Sequence, residues 1–72
     1  MNLLTWTGSR WAIGGRELNC GTQVQIQITT IDSGKYWVWG RFEIAHHNNP
    51  IFYTLFGRIV PDLDSTLFRF AP

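Results

Sequence analysis

Between residues 23 and 29 the chain alternates without a break, with Val24, Ile26 and Ile28 on one side and Gln23, Gln25, Gln27 and Thr29 on the other. A side-chain period of two belongs to the β-strand, so this run is a half-buried strand with a neutral polar outer face. The segment Lys35 to Ile44 keeps the same period. Tyr36, Val38, Phe42 and Ile44 share one face, and Lys35, Trp37, Trp39, Arg41 and Glu43 share the other. Asp32-Ser33-Gly34 supplies turn residues between the two runs, which makes residues 23–44 a hairpin. Gly40 interrupts the second strand near its centre, where a glycine predicts a bulge or sharp bend.

The rest of the chain has strands and turns at short intervals and no helical period. Gly14-Gly15 separates Arg10–Ile13 from Arg16–Leu18 and can take the positive φ angles of a tight hairpin. Ile51–Phe56 is apolar almost throughout, which predicts a strand covered on both faces, with Arg58–Val60 continuing it after a kink. Pro61–Thr66 is a turn, with Asp62 or Asp64 placed to cap a single 3₁₀ turn, and Leu67–Phe70 closes the domain. The pattern predicts a single all-β domain over residues 1–72, a small SH3-like barrel of five to six mainly antiparallel strands, with residues 1–9 as an N-terminal arm or edge strand. Val24, Ile26, Ile28, Val38, Phe42, Tyr53, Leu55 and Phe68 are expected in or near one core, and Trp11 is expected to be a core residue as well.

At 72 residues, chain entropy is hard to offset, and the four Trp, five Phe and two Tyr meet that difficulty by loading apolar area onto few positions. Cys20 is the single cysteine and has no internal partner, which points to a reducing compartment. Met1–Gly8 reads as neither a signal peptide nor a membrane span, so the expected location is cytoplasmic. The formal net charge is +1 without a run of like charges, which argues against diffuse attraction to nucleic acid. Five of the six cations are Arg, which suits stacked or bidentate contacts.

The order Arg-Trp-Ala-Ile-Gly-Gly-Arg-Glu-Leu-Asn-Cys-Gly at 10–21, a hydrophobic strand, Trp-Val-Trp-Gly-Arg-Phe-Glu at 37–43 and an aromatic strand with Phe52-Tyr53 resembles the bacterial domain-of-unknown-function family 5348. The resemblance covers roughly residues 10–70 and implies an SH3-type barrel from mobile-element or phage-like surroundings. It transfers no catalytic residue. The longer hairpin at Thr29–Lys35 and the His46-His47-Asn48-Asn49-Pro50 loop depart from the family pattern and are expected to mark the surface that sets the partner.

Chemistry-bearing groups are sparse. His46 and His47 are adjacent on a loop, and with Cys20 they lack the spacing of a closed metal site, so neither a metal nor a cofactor is expected. Asp62 and Asp64 belong to a turn, and nothing pairs Ser9, Ser33, Ser65 or Cys20 with a base, so no catalytic residue is assigned. Arg41 and Glu43 lie in phase and read as one half of a cross-strand ion pair or as a charged rim beside the indoles. Trp37 and Trp39 either turn inward at a bulge or stand out as an aromatic platform edged by Lys35, Arg41 and Glu43. The platform predicts a non-enzymatic binding module that contacts a host or element-encoded protein, as an accessory or inhibitor protein of a mobile element or phage. The alternative is a nucleic-acid-binding accessory that stacks bases on the same aromatic and Arg surface.

Overall fold

The computed structural model describes residues 2–70 and is all-β among them apart from one 3₁₀ turn. The strands are β1 (Leu4–Trp6), β2 (Trp11–Ile13), β3 (Arg16–Glu17), β4 (Gln23–Thr29), β5 (Lys35–Ile44), β6 (Pro50–Thr54), β7 (Gly57–Ile59) and β8 (Phe68–Arg69). They form two antiparallel sheets, β1-β2-β3 and β7-β6-β5-β4-β8, that share one core in a barrel-like arrangement. The two strands beyond the six expected are β1, which the N-terminal arm contributes, and β7, which residues 57–59 form on their own.

Both hairpin turns read from the sequence are present. Gly14 and Gly15 link β2 to β3 with φ of 57° and 80°, a conformation that L side chains rarely tolerate. At the β4–β5 turn, Thr30 N–H donates to the Gly34 carbonyl at 2.8 Å, and Ser33 takes φ 68°. The N-terminal arm is an edge strand: Leu4 pairs with Ile13 and Trp6 with Trp11. Asn2 then bridges Phe68, which ties the small sheet to the closing strand.

The core lies on the inner faces of the long strands. Val24, Ile26, Phe42, Phe52 and Phe68 are buried in phase with one another, and Leu4, Ile13 and Leu18 close the core from the small sheet. Phe42, Phe52 and Phe68 form a run of tilted rings with centroids 5.6 and 4.9 Å apart. Each such ring contributes about 1.5–3 kcal/mol by leaving water. Trp11, Val38, Ile59 and Phe70 pack against this cluster from partly buried positions.

Gly40 makes no bulge. The ladder runs through it, with Val24 opposite Gly40, Gln23 opposite Arg41, and Arg41 opposite Tyr53. The glycine is required by packing, since a Cβ there would lie 2.6 Å from Ile26 Cδ1 and 3.4 Å from Phe52 Cβ.

Residues 51–60 depart most from expectation. Ile51 and Phe52 are buried, but Tyr53 is exposed and Leu55 is fully exposed, so neither Tyr53 nor Leu55 belongs to the core. The reason is a turn at Thr54–Gly57: Thr54 Oγ1 accepts from Phe56 N–H at 3.0 Å, its hydroxyl donates to the Gly57 carbonyl at 2.9 Å, and Gly57 takes φ 105°. Leu55 and Phe56 form the tip, and β7 runs back antiparallel to β6 rather than extending it. The single 3₁₀ turn occurs at His46–Asn48 and not at 61–66. In the latter segment Asp62 Oδ1 accepts from Asp64 N–H at 3.0 Å in a side-chain turn.

Candidate functional site

The uninterrupted ladder through Gly40 keeps the odd residues of β5 on one outer face, which brings Lys35, Trp37, Trp39, Arg41 and Glu43 into line. Neighbouring strands complete the surface. Gln23, Gln25 and Gln27 lie opposite Arg41, Trp39 and Trp37, while Tyr53 lies opposite Arg41 on the far side.

The two indoles differ. Trp37 is half-buried because the Arg69 guanidinium sits over its ring at 4.1 Å, and Arg69 Nε is itself fixed by a 2.7 Å hydrogen bond to Gln25 Oε1. Such a cation–π contact is worth about 0.5–1 kcal/mol at an exposed site. Trp39 has no such cover and is 50% exposed. Neither indole turns into the core.

Arg41 and Glu43 pair with each other along β5, with Arg41 Nε 3.0 Å from Glu43 Oε2, so the pair is within one strand and not across strands. The Arg41 guanidinium also lies 5.4 Å from the centre of the Tyr53 ring. These two contacts hold the planar Arg41 cation between the Glu43 carboxylate and the Tyr53 phenol. Trp39, Gly40, Arg41, Tyr53, Thr54 and Leu55 line a shallow cleft of about 290 Å³. Lys35 is exposed at the distal end of the strand. The sequence pointed to five of these side chains and, through the hairpin, to the Gln-rich face of β4 beside them, but not to Tyr53 or Arg69. Register with β6 and β8 brings those two to the site, and an alternating segment does not specify which further strands flank it.

The other candidates stay apart. His46 and His47 are exposed with ring centroids 6.4 Å apart, and His47 and Asn48 adopt left-handed φ of 59° and 61°. Trp11 Nε1 donates to the Asn48 carbonyl at 2.9 Å, which pins this loop to the small sheet. Among the described residues no three His, Cys, Asp or Glu side chains gather closely enough to hold a metal ion. Cys20 is free and exposed. Asp32 is held below the usual carboxylate range by the Thr30 hydroxyl and, secondarily, by the Gly34 backbone N–H, which is turn chemistry and not an acid–base site. No helix among the described residues is long and apolar enough to cross a membrane.

No family model matches the chain, and no curated protein or solved structure does.

Proposed function

We propose that this protein is a non-enzymatic binding module that engages a partner protein through the outer face of β5. The observation that carries this reading is the half-exposed Trp39 beside an Arg41 held in place by Glu43 and Tyr53. Trp, Tyr and Arg are the residues most enriched at interface hot spots. Their value there comes from large apolar area offered with little rotamer freedom, and a rigid sheet supplies that condition. Trp37 widens the platform under its Arg69 cover, and Lys35 marks the distal rim. A cytoplasmic accessory or inhibitor protein of a mobile element or phage, contacting a host or element-encoded protein, fits this surface and the near-neutral charge.

The test uses affinity capture from cells with wild-type protein, followed by quantitative binding to the recovered partner. Trp39→Ala is expected to cost about 2 kcal/mol or more in binding while leaving the melting temperature nearly unchanged. Trp6→Ala removes an indole of similar exposure from the other sheet and is the control that should still bind. An aromatic protein interface should change little with salt, whereas log affinity for nucleic acid falls linearly with log salt. Unchanged partner affinity in a folded Trp39→Ala variant sinks the proposal. A steep salt slope with nucleic acid as the recovered species transfers the surface to base stacking.

A further inference from the structure

The distal part of β5 has an open edge. Partner strand β6 reaches only from Arg41 to Ile44, so Lys35 to Gly40 are paired on the β4 side alone. The direction of the backbone groups follows from the ladder. Phe42 N–H donates to the Thr22 carbonyl at 2.8 Å and Phe42 C=O accepts from Gly21 N–H, so the even residues of β5 point toward β4. The N–H and C=O groups of Lys35, Trp37 and Trp39 therefore point the other way and have no backbone partner among the described residues. A row of unpaired strand groups is a template for another strand, and natural edges are normally blunted with charge, proline or a bulge. This one has only Lys35, at its end, and the ladder shows no bulge.

Apolar surface surrounds the edge. Ile28, Tyr36, Val38, Trp39, Leu55 and Phe56 line a groove of about 690 Å³ along it. Tyr36 is 53% exposed, Phe56 is 77% exposed, and Ile31 at the β4–β5 tip and Leu55 at the β6–β7 tip are fully exposed.

We propose that the occupant of this edge is a second copy of the same chain, joined by antiparallel pairing of β5 with β5 about a two-fold axis at Tyr36. Three features make the edge complementary to itself. In this register Lys35 faces Trp37 of the second copy, and both residues present backbone groups to the edge, so the two symmetric pairs close four hydrogen bonds with no like charges opposed. The open length also fits. An added strand running antiparallel to β5 lies in line with β6 and must stop at the Leu55–Phe56 turn, and the β5 strand of a second copy ends there at its own 31–34 turn. That meeting sets the exposed Ile31 of one copy near the exposed Leu55 and Phe56 of the other. At about 150–250 Å² for a fully buried aromatic, the exposed parts of Tyr36 and Phe56 with Ile31 and Leu55 bring on the order of 500 Å² per copy, about 1,000 Å² over both, where specific interfaces begin. The pairing uses the backbone edge from Lys35 to Trp37 and joins the outer faces of the two copies into one sheet.

The test is sedimentation of the wild-type chain over a concentration series, with two substitutions that read the register. Wild type is expected to dimerise reversibly, and Tyr36→Lys, which sets like charges opposite each other on the axis, should weaken the dimer by about tenfold or more and leave a folded monomer. In a Cys20→Ser background, oxidised Tyr36→Cys should form a covalent dimer, since directly opposed residues of a non-hydrogen-bonded pair are within disulfide reach. Val38→Cys should not, because its symmetry mate lies four residues along the strand, roughly 13 Å away. A wild-type chain that remains monomeric at about 1 mM overturns the proposal and leaves the edge to a strand of a different protein. A dimer indifferent to Tyr36→Lys, or cross-linked equally well through Val38→Cys, overturns it too. Partner binding by the Tyr36→Lys monomer separates this result from the platform reading.

Discussion

The two halves of the β4–β5 hairpin carry the same alternation and have opposite fates. Near the centre, Ile26 and Phe42 are 1% exposed and pack against Phe52 and Phe68. Toward the tip, Tyr36 stands on the same face of the same strand as Phe42 and is half open to solvent. The difference is what lies opposite. β6 stops opposite Arg41 and the β8 segment stops at Gln27, so no strand flanks the hairpin from there to its tip, and the molecule is elongated, 37 Å by 22 Å by 22 Å. Periodicity selects a face, but burial depends on whether another element covers it.

Substitution can break or sharpen that contrast. The largest effect should come from Phe42→Ala, which empties a site between two sheets and should cost about 3–5 kcal/mol, against less than about 0.5 kcal/mol for Tyr36→Ala under dilute monomeric conditions. Chemical denaturation of both variants checks this, and equal losses would mean that the tip is as well packed as the centre. Next comes Gly40→Ala, whose new methyl meets Ile26 and should cost about 1–3 kcal/mol, with partial recovery when Ile26→Val removes the opposing Cδ1. A bulge-forming glycine would show no such coupling. The smallest effect concerns Asp32 at the tip. Its folded value is lowered, so the contribution of its turn contacts is present above the ordinary value of 3.8 and is lost as pH falls through the lowered folded value. Carboxyl chemical shifts followed through an acid titration should place the Asp32 midpoint below 3.8, and a midpoint at or above that value would show the tip turn to be loose.

Much of this was legible in the sequence. The all-β class, both early hairpins and the outer face shared by Lys35, Trp37, Trp39, Arg41 and Glu43 follow from period-two patterning and turn chemistry. The β6–β7 turn was not, because its tip is Leu55-Phe56, two large apolar residues with no turn preference. Only Thr54 and Gly57 at its shoulders mark it, and apolar content alone put Leu55 in the core. The role of Gly40 was hidden for a similar reason. A glycine in a strand signals either a bulge or a close neighbour, and the neighbour, Ile26, is identified only by register. Tyr53 and Arg69 were missed as site residues because each reaches the platform from a strand distant in the chain.

The bridge between Asn2 and Phe68 bears on when the protein can fold as it leaves the ribosome. Phe68 is wholly buried, stacks on Phe52 and carries the strand that borders β4. A nascent chain that has exposed everything up to the β6–β7 hairpin still lacks this residue, so its inner face stays open and its edges stay unpaired until residues 67–69 clear the exit tunnel. Closure of this unit then waits on β8, which fills the core with Phe68 and, through the bridge to Asn2, also fastens the segment that leads into β1.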